Sequence, residues 1–154
     1  MEYMSQECYD RLVAELENLI KVELPKAKTE LSEARDKGDL SENFEYHAAK
    51  RAHGKLLSEI RFKQKVLMSA RVLDTSKLGS ETVGLLRKVA FTNLNNNVRM
   101  TYTIVNPHEA DMKEGKISIK SPIAEALIGK RAGDIAEAHV PAGVVRLRIE
   151  EITL

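Results

Sequence analysis

Apolar residues recur at helical spacing in two segments, one on each side of Gly38. These two segments constrain the fold more than any other feature of the chain. The first stretch carries apolar side chains at Leu12, Leu16, Leu19, Leu31 and Ala34. The second carries them at Ala49, Ala52, Leu56, Ile60, Leu67 and Ala70. Spacing of this kind gives each helix one narrow apolar face. Two such helices joined by a short turn predict an antiparallel hairpin, which would project about 45 Å if each helix has about 30 residues.

Local signals predict where the first of these helices begins and where it is interrupted. Ser5 has a side chain suited to a helix N-cap, and the acidic Glu7 follows it in the first turn. Pro25 lies inside the helical pattern. Because proline lacks a backbone donor and its ring clashes with the preceding turn, we expect a kink or a break near Glu23 and Leu24.

The pattern changes after Arg71. Residues 74–82 predict a linker, and period-two alternation then predicts strands at residues 85–91, 100–105, 117–119, 134–140 and 144–152. Ser121-Pro122 and Gly129 bracket a short helix, residues 122–128. Pro141-Ala142-Gly143 has the composition of a hairpin turn. The sequence therefore predicts an α+β chain, with an antiparallel coiled-coil hairpin in residues 1–75 and a small antiparallel-sheet domain in residues 76–154.

Composition excludes several classes of protein. The 154 residues include no tryptophan and 31% charged side chains, which argues against one large core. A formal net charge of +1 argues against a protein that coats nucleic acid, so any such contact must be local. The single cysteine, Cys8, excludes an internal disulfide and fits a reducing cytosol. No apolar run approaches the roughly 20 residues that span a bilayer, so we expect a soluble, cytoplasmic protein without membrane contact.

The turn between the two helices carries a pair of carboxylates, Asp39 and Glu42. Carboxylate oxygens are ligands that Mg²⁺ prefers, and a pair at the end of a stalk is suited to reaching into another molecule. The same spacing also has the form of a capping box, in which both side chains satisfy free amides at the start of the second helix. The spacing alone leaves both interpretations open.

The tip segment as a whole resembles the bacterial transcript cleavage factors GreA and GreB. The resemblance rests on Gly38-Asp39-Leu40-Ser41-Glu42-Asn43 and on Glu45-Tyr46-His47-Ala48-Ala49-Lys50. It continues in the second half at Tyr102-Thr103-Ile104-Val105, Glu109-Ala110-Asp111, Ser121-Pro122-Ile123, Ala126-Leu127-Ile128-Gly129 and Gly133-Asp134. Coverage is nearly end to end. Leu40-Ser41 and the basic helix that follows are more similar to GreA than to GreB.

The resemblance implies a specific activity. In this family the hairpin enters the secondary channel of a backtracked RNA polymerase, and an FKBP-like C-terminal domain docks on the rim of the channel. Asp39 and Glu42 match the family's two essential acids. They would help to hold a second Mg²⁺ and to orient water beside the metal that polymerase already holds, so that the extruded RNA 3′ segment is cut. The chain would be a monomer that stimulates polymerase and is not itself an enzyme, and it would bind no Mg²⁺ tightly when free.

The second helix is rich in basic side chains, namely Lys50, Arg51, Lys55, Arg61, Lys63 and Lys65. Those nearest the tip, Lys50, Arg51 and Lys55, are the candidates for contact with the phosphates of extruded RNA. A second interpretation is that the basic residues pair with the glutamate-rich first helix across the hairpin.

The role of Phe44 and the effect of the chain on polymerase each allow more than one interpretation. Phe44 stands where the family usually has alanine, and it either contacts a nucleotide or the channel wall or has no chemical role. The chain could stimulate cleavage, inhibit polymerase through the same channel, or act as a coiled-coil adaptor without a nucleic-acid role. Proline isomerase activity is disfavoured, because Phe91 and Tyr102 alone do not make an aromatic cage.

Overall fold

The computed structural model describes residues 2–38 and 43–154. It divides into two compact units. The hairpin unit comprises residues 9–70, and the C-terminal unit comprises Glu2–Cys8 together with Arg71–Leu154. The sequence predicted a hairpin over residues 1–75, so the grouping of Glu2–Cys8 with the C-terminal unit is a difference from that prediction.

The first arm of the hairpin is a continuous helical segment with a change of hydrogen-bond pattern in its middle. Helix α1 (Gln6–Asn18) is followed by a π-helical turn, Leu19–Glu23, and by helix α2 (Leu24–Arg35). The amide of Leu24 bonds to the carbonyl of Leu19, five residues back. Pro25 lies in the first turn of α2, where a missing donor is tolerated. The sequence predicted a kink or a break near Glu23 and Leu24, and the structure has a change from π-helical to α-helical hydrogen bonding at that point in a segment that stays helical.

The second arm is helix α3 (Phe44–Ser69). It packs against α2 and against the π-helical turn, and Ala34 of the first arm and Ile60 of the second are both buried. Helix α1 begins as predicted, because the Cys8 amide donates to the Ser5 hydroxyl oxygen at 3.1 Å. The helical hairpin predicted from apolar spacing is therefore confirmed.

Gly54 lies in the middle of α3 with open space around it. A Cβ at this position would meet no atom within 4 Å. We expect Gly54→Ala to raise the free energy of unfolding by about 0.5–1 kcal/mol, because alanine loses less backbone freedom on entering a helix. Urea unfolding of the full chain measures the change. Gly38→Ala is the matched control, and it should destabilise because Gly38 has a φ of +126°. A loss of stability in Gly54→Ala would contradict the open environment.

The C-terminal unit contains a small sheet and a larger one. The small sheet pairs β1 (Glu2–Met4) with β2 (Ala70–Val72), and it was not predicted. The larger sheet has five strands, β3 (Lys88–Asn93), β4 (Val98–Val105), β5 (Lys116–Ser118), β6 (Ile135–Val140) and β7 (Gly143–Thr153). Their spatial order is β5-β4-β3-β7-β6.

Most of the larger sheet is antiparallel, as predicted, but the edge strand β5 runs parallel to β4. Two short 3₁₀ turns, Pro107–Glu109 and Met112–Glu114, carry the chain back beside Thr103 before β5 begins. The strand therefore runs in the direction of β4. Period-two alternation does not encode strand direction, so the sequence could not predict this pairing.

Strand β3 begins three residues later than the alternation predicts. Leu86 has a φ of +66°, and the amide of Arg87 bonds to the carbonyl of Gly84, so the chain turns before it pairs. The predicted linker at residues 74–82 includes a 3₁₀ turn, Thr75–Lys77. The hairpin turn at residues 141–143 is confirmed by the pairing of Val140 with Gly143.

The core of this unit lies between one face of the larger sheet and helix α4 (Pro122–Leu127). The largest fully buried side chains in it are Phe91, Ile104, Leu127, Leu147, Ile149 and Val89. Helix α4 begins as predicted, since the Ala124 amide donates to the Ser121 hydroxyl oxygen at 3.2 Å. Within the described ranges, no helix is long and apolar enough to cross a membrane.

The N-terminal segment belongs to the C-terminal unit through specific bonds. The buried Asn106 donates from its side-chain amide to the carbonyl of Tyr3 at 2.9 Å. The Ser5 hydroxyl lies 2.9 and 3.0 Å from the two carboxylate oxygens of Glu109. These two contacts join residues about a hundred positions apart, which is why local patterns did not predict them.

Candidate functional site at the hairpin tip

Asp39 and Glu42, the two acids predicted to act chemically, lie outside the described residues. The candidate site is therefore built from the residues on each side of them. Gly38 ends the described part of the first arm, and Asn43 begins the described part of the second.

Asn43 joins the two arms through its side chain. Its carbonyl oxygen accepts a hydrogen bond from the Tyr46 amide at 2.9 Å, which makes it the N-cap of α3. Its amide nitrogen donates to the Ala34 carbonyl at 2.7 Å, in the last turn of α2. One side chain thus caps the start of one helix and donates to a carbonyl in the last turn of the other, which also accepts from the Lys37 amide at 3.3 Å. Sequence reasoning missed this role, although an asparagine directly before a helix is a recognisable cap signal.

The described start of the second helix bears on the capping-box interpretation of the acid spacing. A capping box formed by Asp39 and Glu42 would make Asp39 the N-cap of the second helix. Helix α3 instead begins at Phe44, with Asn43 in the N-cap position. Asn43 is therefore the N-cap of α3 as the structure describes it, whereas Asp39 and Glu42 lie outside the described residues and their roles stay predictions.

An ion pair also spans the turn. The Lys37 ammonium donates to the Glu45 carboxylate at 2.8 Å, and both side chains are exposed. This hydrogen bond and the charge of Glu45 raise the pKa of Lys37 above its ordinary value of 10.5. Because the folded-state pKa is raised, the pair contributes fully below pH 10.5 and its contribution is lost as the pH rises through the folded-state pKa. An exposed pair contributes little to stability, but it adds a second link between the flanks.

Phe44 is the first residue of α3, and its side chain is 86% exposed. Close by on the same helix, the ring of Tyr46 packs edge-on against that of His47, with centroids 5.4 Å apart. The Lys50 ammonium lies 6.0 Å from the centroid of Tyr46. Aromatic and cationic side chains therefore lie close together at the start of the second arm.

The three basic residues nearest the tip are exposed: Lys50, Arg51 and Lys55. Within residues 2–38 and 43–154, no ion pair joins any of them to a carboxylate of the first arm. Lys63 behaves differently, because its ammonium lies 3.0 Å from the Glu15 carboxylate. Pairing across the hairpin thus accounts for Lys63 and leaves the cations near the tip available to another partner.

Comparison with known proteins decides the family. A model described as "Transcription elongation factor, N-terminal" matches residues 2–72, and one described as "Transcription elongation factor, GreA/GreB, C-term" matches residues 78–154. The chain belongs to the GreA/GreB family. The resemblance to this family, first seen in the tip segment, is thereby confirmed over nearly the whole chain.

Transcription elongation factors named GreA are similar to this chain over nearly its whole length. Transcription elongation factor GreA of Flavobacterium psychrophilum is 44% identical over 153 residues, which cover 99% of this chain and 97% of that protein. The GreA of Christiangramia forsetii is 46% identical over 152 residues, which cover 99% and 96%. Among solved structures, the chain in the crystal structure of GreA factor homolog 1 (Gfh1) of Thermus thermophilus is 27% identical in sequence to this chain. The match has a TM-score of 0.46 and covers 99% of this chain and 98% of that chain.

Proposed function

We propose that this GreA/GreB protein enters the secondary channel of RNA polymerase and stimulates cleavage of the RNA 3′ segment in backtracked complexes. Membership in a family of transcription elongation factors supports the process. The observation that carries the proposal is the pair of side-chain hydrogen bonds made by Asn43. They link the end of α2 to the start of α3, and the two acids lie between these helices in the sequence. A stalk with firmly held flanks is suited to presenting a small reactive segment inside another molecule.

We assign the chemistry to Asp39 and Glu42. Their carboxylates would contribute oxygen ligands to a Mg²⁺ that is shared with polymerase. An ion held there by Asp39 and Glu42, beside the metal of polymerase, would supply charge stabilisation for an in-line displacement. Two carboxylates do not complete such a site, so the reaction belongs to the complex and the chain acts as its stimulator.

We assign Lys50, Arg51 and Lys55 to contact with the phosphates of the extruded RNA. All three are exposed, and none is engaged by a carboxylate of the first arm in the part of the chain that the structure describes. Contact with phosphates is independent of sequence, as a factor that acts on many transcripts requires. The C-terminal unit would bind polymerase at the channel rim and raise the effective concentration of the tip.

A cleavage assay on stalled complexes tests the proposed function. Polymerase is backtracked on a defined template, its RNA is labelled at the 5′ end, and the full chain is added with Mg²⁺. We expect faster shortening of the RNA and resumed extension when nucleotides are supplied. Slower intrinsic cleavage or extension would support an inhibitor of the same fold. Unchanged cleavage and extension would support an adaptor.

Replacing Lys50, Arg51 and Lys55 together by glutamine should weaken the factor most on complexes with long extruded RNA, because only these place extra phosphates along the second arm. The slope of log affinity against log salt should flatten by about 2 for three phosphates on a single strand. Association and cleavage across a salt series, with short and long backtracks in parallel, measure both effects.

The matched control for the basic triple variant replaces Arg61 and Lys65, which are exposed on the same helix but farther from the tip. It removes charge of the same sign and should leave the difference between short and long backtracks unchanged. An unchanged salt slope in the triple variant, on both kinds of complex, would remove the RNA-binding assignment.

A further inference from the structure

One exposed face of α3 combines an aromatic ring with two cations. Phe44, Arg51 and Lys55 are separated by seven and four residues, so they lie within an arc of about 40° on one face of a helix of 3.6 residues per turn. All three side chains are exposed. Among the described large apolar side chains, that of Phe44 has the greatest exposure, at 86%.

The residue before Phe44 links the two arms of the hairpin. Phe44 directly follows Asn43, whose two side-chain hydrogen bonds fix the start of α3 against α2. The ring therefore projects from a defined position at the start of α3. Phe44 is two residues along the chain from Glu42. An aromatic ring with two χ angles loses little conformational entropy when it binds from such a position.

We propose that Phe44 stacks on an unpaired base of the extruded RNA, while Arg51 and Lys55 contact phosphates of the same strand. Proteins bind single-stranded nucleic acid by combining aromatic platforms with positive charge along the backbone. The rise per residue places Arg51 about 10 Å beyond Phe44 along the helix, so one short strand can reach both. This inference rests on the proposed function and adds to it a residue that positions the substrate.

The two cations favour RNA over a protein wall as the partner of this face. Phosphates complement Arg51 and Lys55, and every base offers a face on which Phe44 can stack. Stacking is tolerant of sequence, as cleavage at arbitrary arrest sites requires. Contact between Phe44 and the channel wall is the competing outcome that the experiment must separate.

The first test compares backtracked RNAs whose extruded nucleotides carry bases with RNAs in which they are abasic. For the parent, we expect cleavage at limiting factor concentration to be about tenfold more efficient with bases present, because stacking on an aromatic side chain has a large effect per base. In Phe44→Leu this ratio should fall toward one, and in Phe44→Tyr it should be kept. Met68→Leu, at an apolar side chain that is 82% exposed near the other end of α3, should keep the parental ratio.

These outcomes decide the inference. A parental ratio in Phe44→Leu would overturn stacking. An equal loss of cleavage on both RNAs, with the ratio unchanged, would show that Phe44 contacts the channel wall. Because Phe44 is exposed, we expect its variants to stay folded, so that unfolding does not account for a loss of cleavage. Thermal unfolding of each variant checks this.

The second test needs no polymerase and uses the absence of tryptophan from the sequence. In Phe44→Trp the full chain has a single tryptophan, whose fluorescence should be quenched by a single-stranded oligoribonucleotide and much less by an abasic strand of equal length. Met68→Trp places the reporter at another exposed position and should respond weakly to both strands. Equal quenching by both strands, or in both variants, overturns stacking. If the parent failed to stimulate cleavage, the proposed function would fail, and this measurement would still decide whether Phe44 stacks on RNA.

Discussion

Asp39→Asn should lower Mg²⁺-dependent cleavage of backtracked RNA by about 100-fold, a loss equivalent to part of the several kcal/mol of charge stabilisation that a bound metal supplies. The amide preserves the size of the side chain but removes the anionic ligand. Binding to polymerase should stay within a few-fold of the parent, because the substitution leaves the rest of the surface unchanged. Glu42→Gln should behave in the same way.

Cleavage rates over a Mg²⁺ titration, together with competition binding to the same stalled complexes, measure this pair of effects. Asp36→Asn is the matched control, since it removes an exposed carboxylate three residues before Asp39. It should cleave like the parent. If Asp39→Asn bound polymerase as poorly as it cleaved, the acid would be a binding group and not a ligand of the metal.

The sequence predicted the two-part architecture well because the strongest signals were local. Apolar side chains at helical spacing predicted the two arms, and Pro25 predicted the interruption of the first arm next to Leu24. Ser121 and Gly129 bounded α4 correctly. Caps, proline and glycine act through nearby backbone atoms, so their effects can be predicted from a few adjacent residues.

Features that depend on distant partners were not predicted. Strand β1 pairs with β2, and its neighbour Ser5 bonds to Glu109, which is 104 positions away. The parallel pairing of β5 follows from the path of two 3₁₀ turns. Neither appears in the periodicity of the strands themselves, because alternation reports which face is buried and not which strand lies alongside.

Some residues of the candidate site were predicted from the sequence, and others were not. Asp39 and Glu42 were found through the whole tip segment, and their roles stay predictions. The sequence distinguished Lys50, Arg51 and Lys55 by their position near the tip but left pairing with the first helix open for the basic residues, and the structure shows such a pair at Lys63, which contacts Glu15. Charge pattern alone does not show which side chains face the opposite arm. The double role of Asn43 was missed, because its second bond is to a carbonyl nine residues earlier.

Asn43→Ala should destabilise the hairpin tip by about 2 kcal/mol, because it removes the cap of α3 and leaves the Ala34 carbonyl without its side-chain donor. We expect faster amide hydrogen exchange in the first turn of α3 and in the last turn of α2, since local opening becomes more frequent. Cleavage should fall although Asp39 and Glu42 are retained, because the acids are no longer held at defined ends.

Asn43→Asp separates the two bonds. The carboxylate still accepts from the Tyr46 amide and suits a helix N-terminus, but it offers no donor to Ala34. If the link between the arms positions the acids, this variant should keep the exchange protection of α3, lose that of α2, and cleave nearly as poorly as the alanine variant. If cleavage in Asn43→Asp equals that of the parent, capping of α3 suffices, and the bond to Ala34 contributes to stability alone.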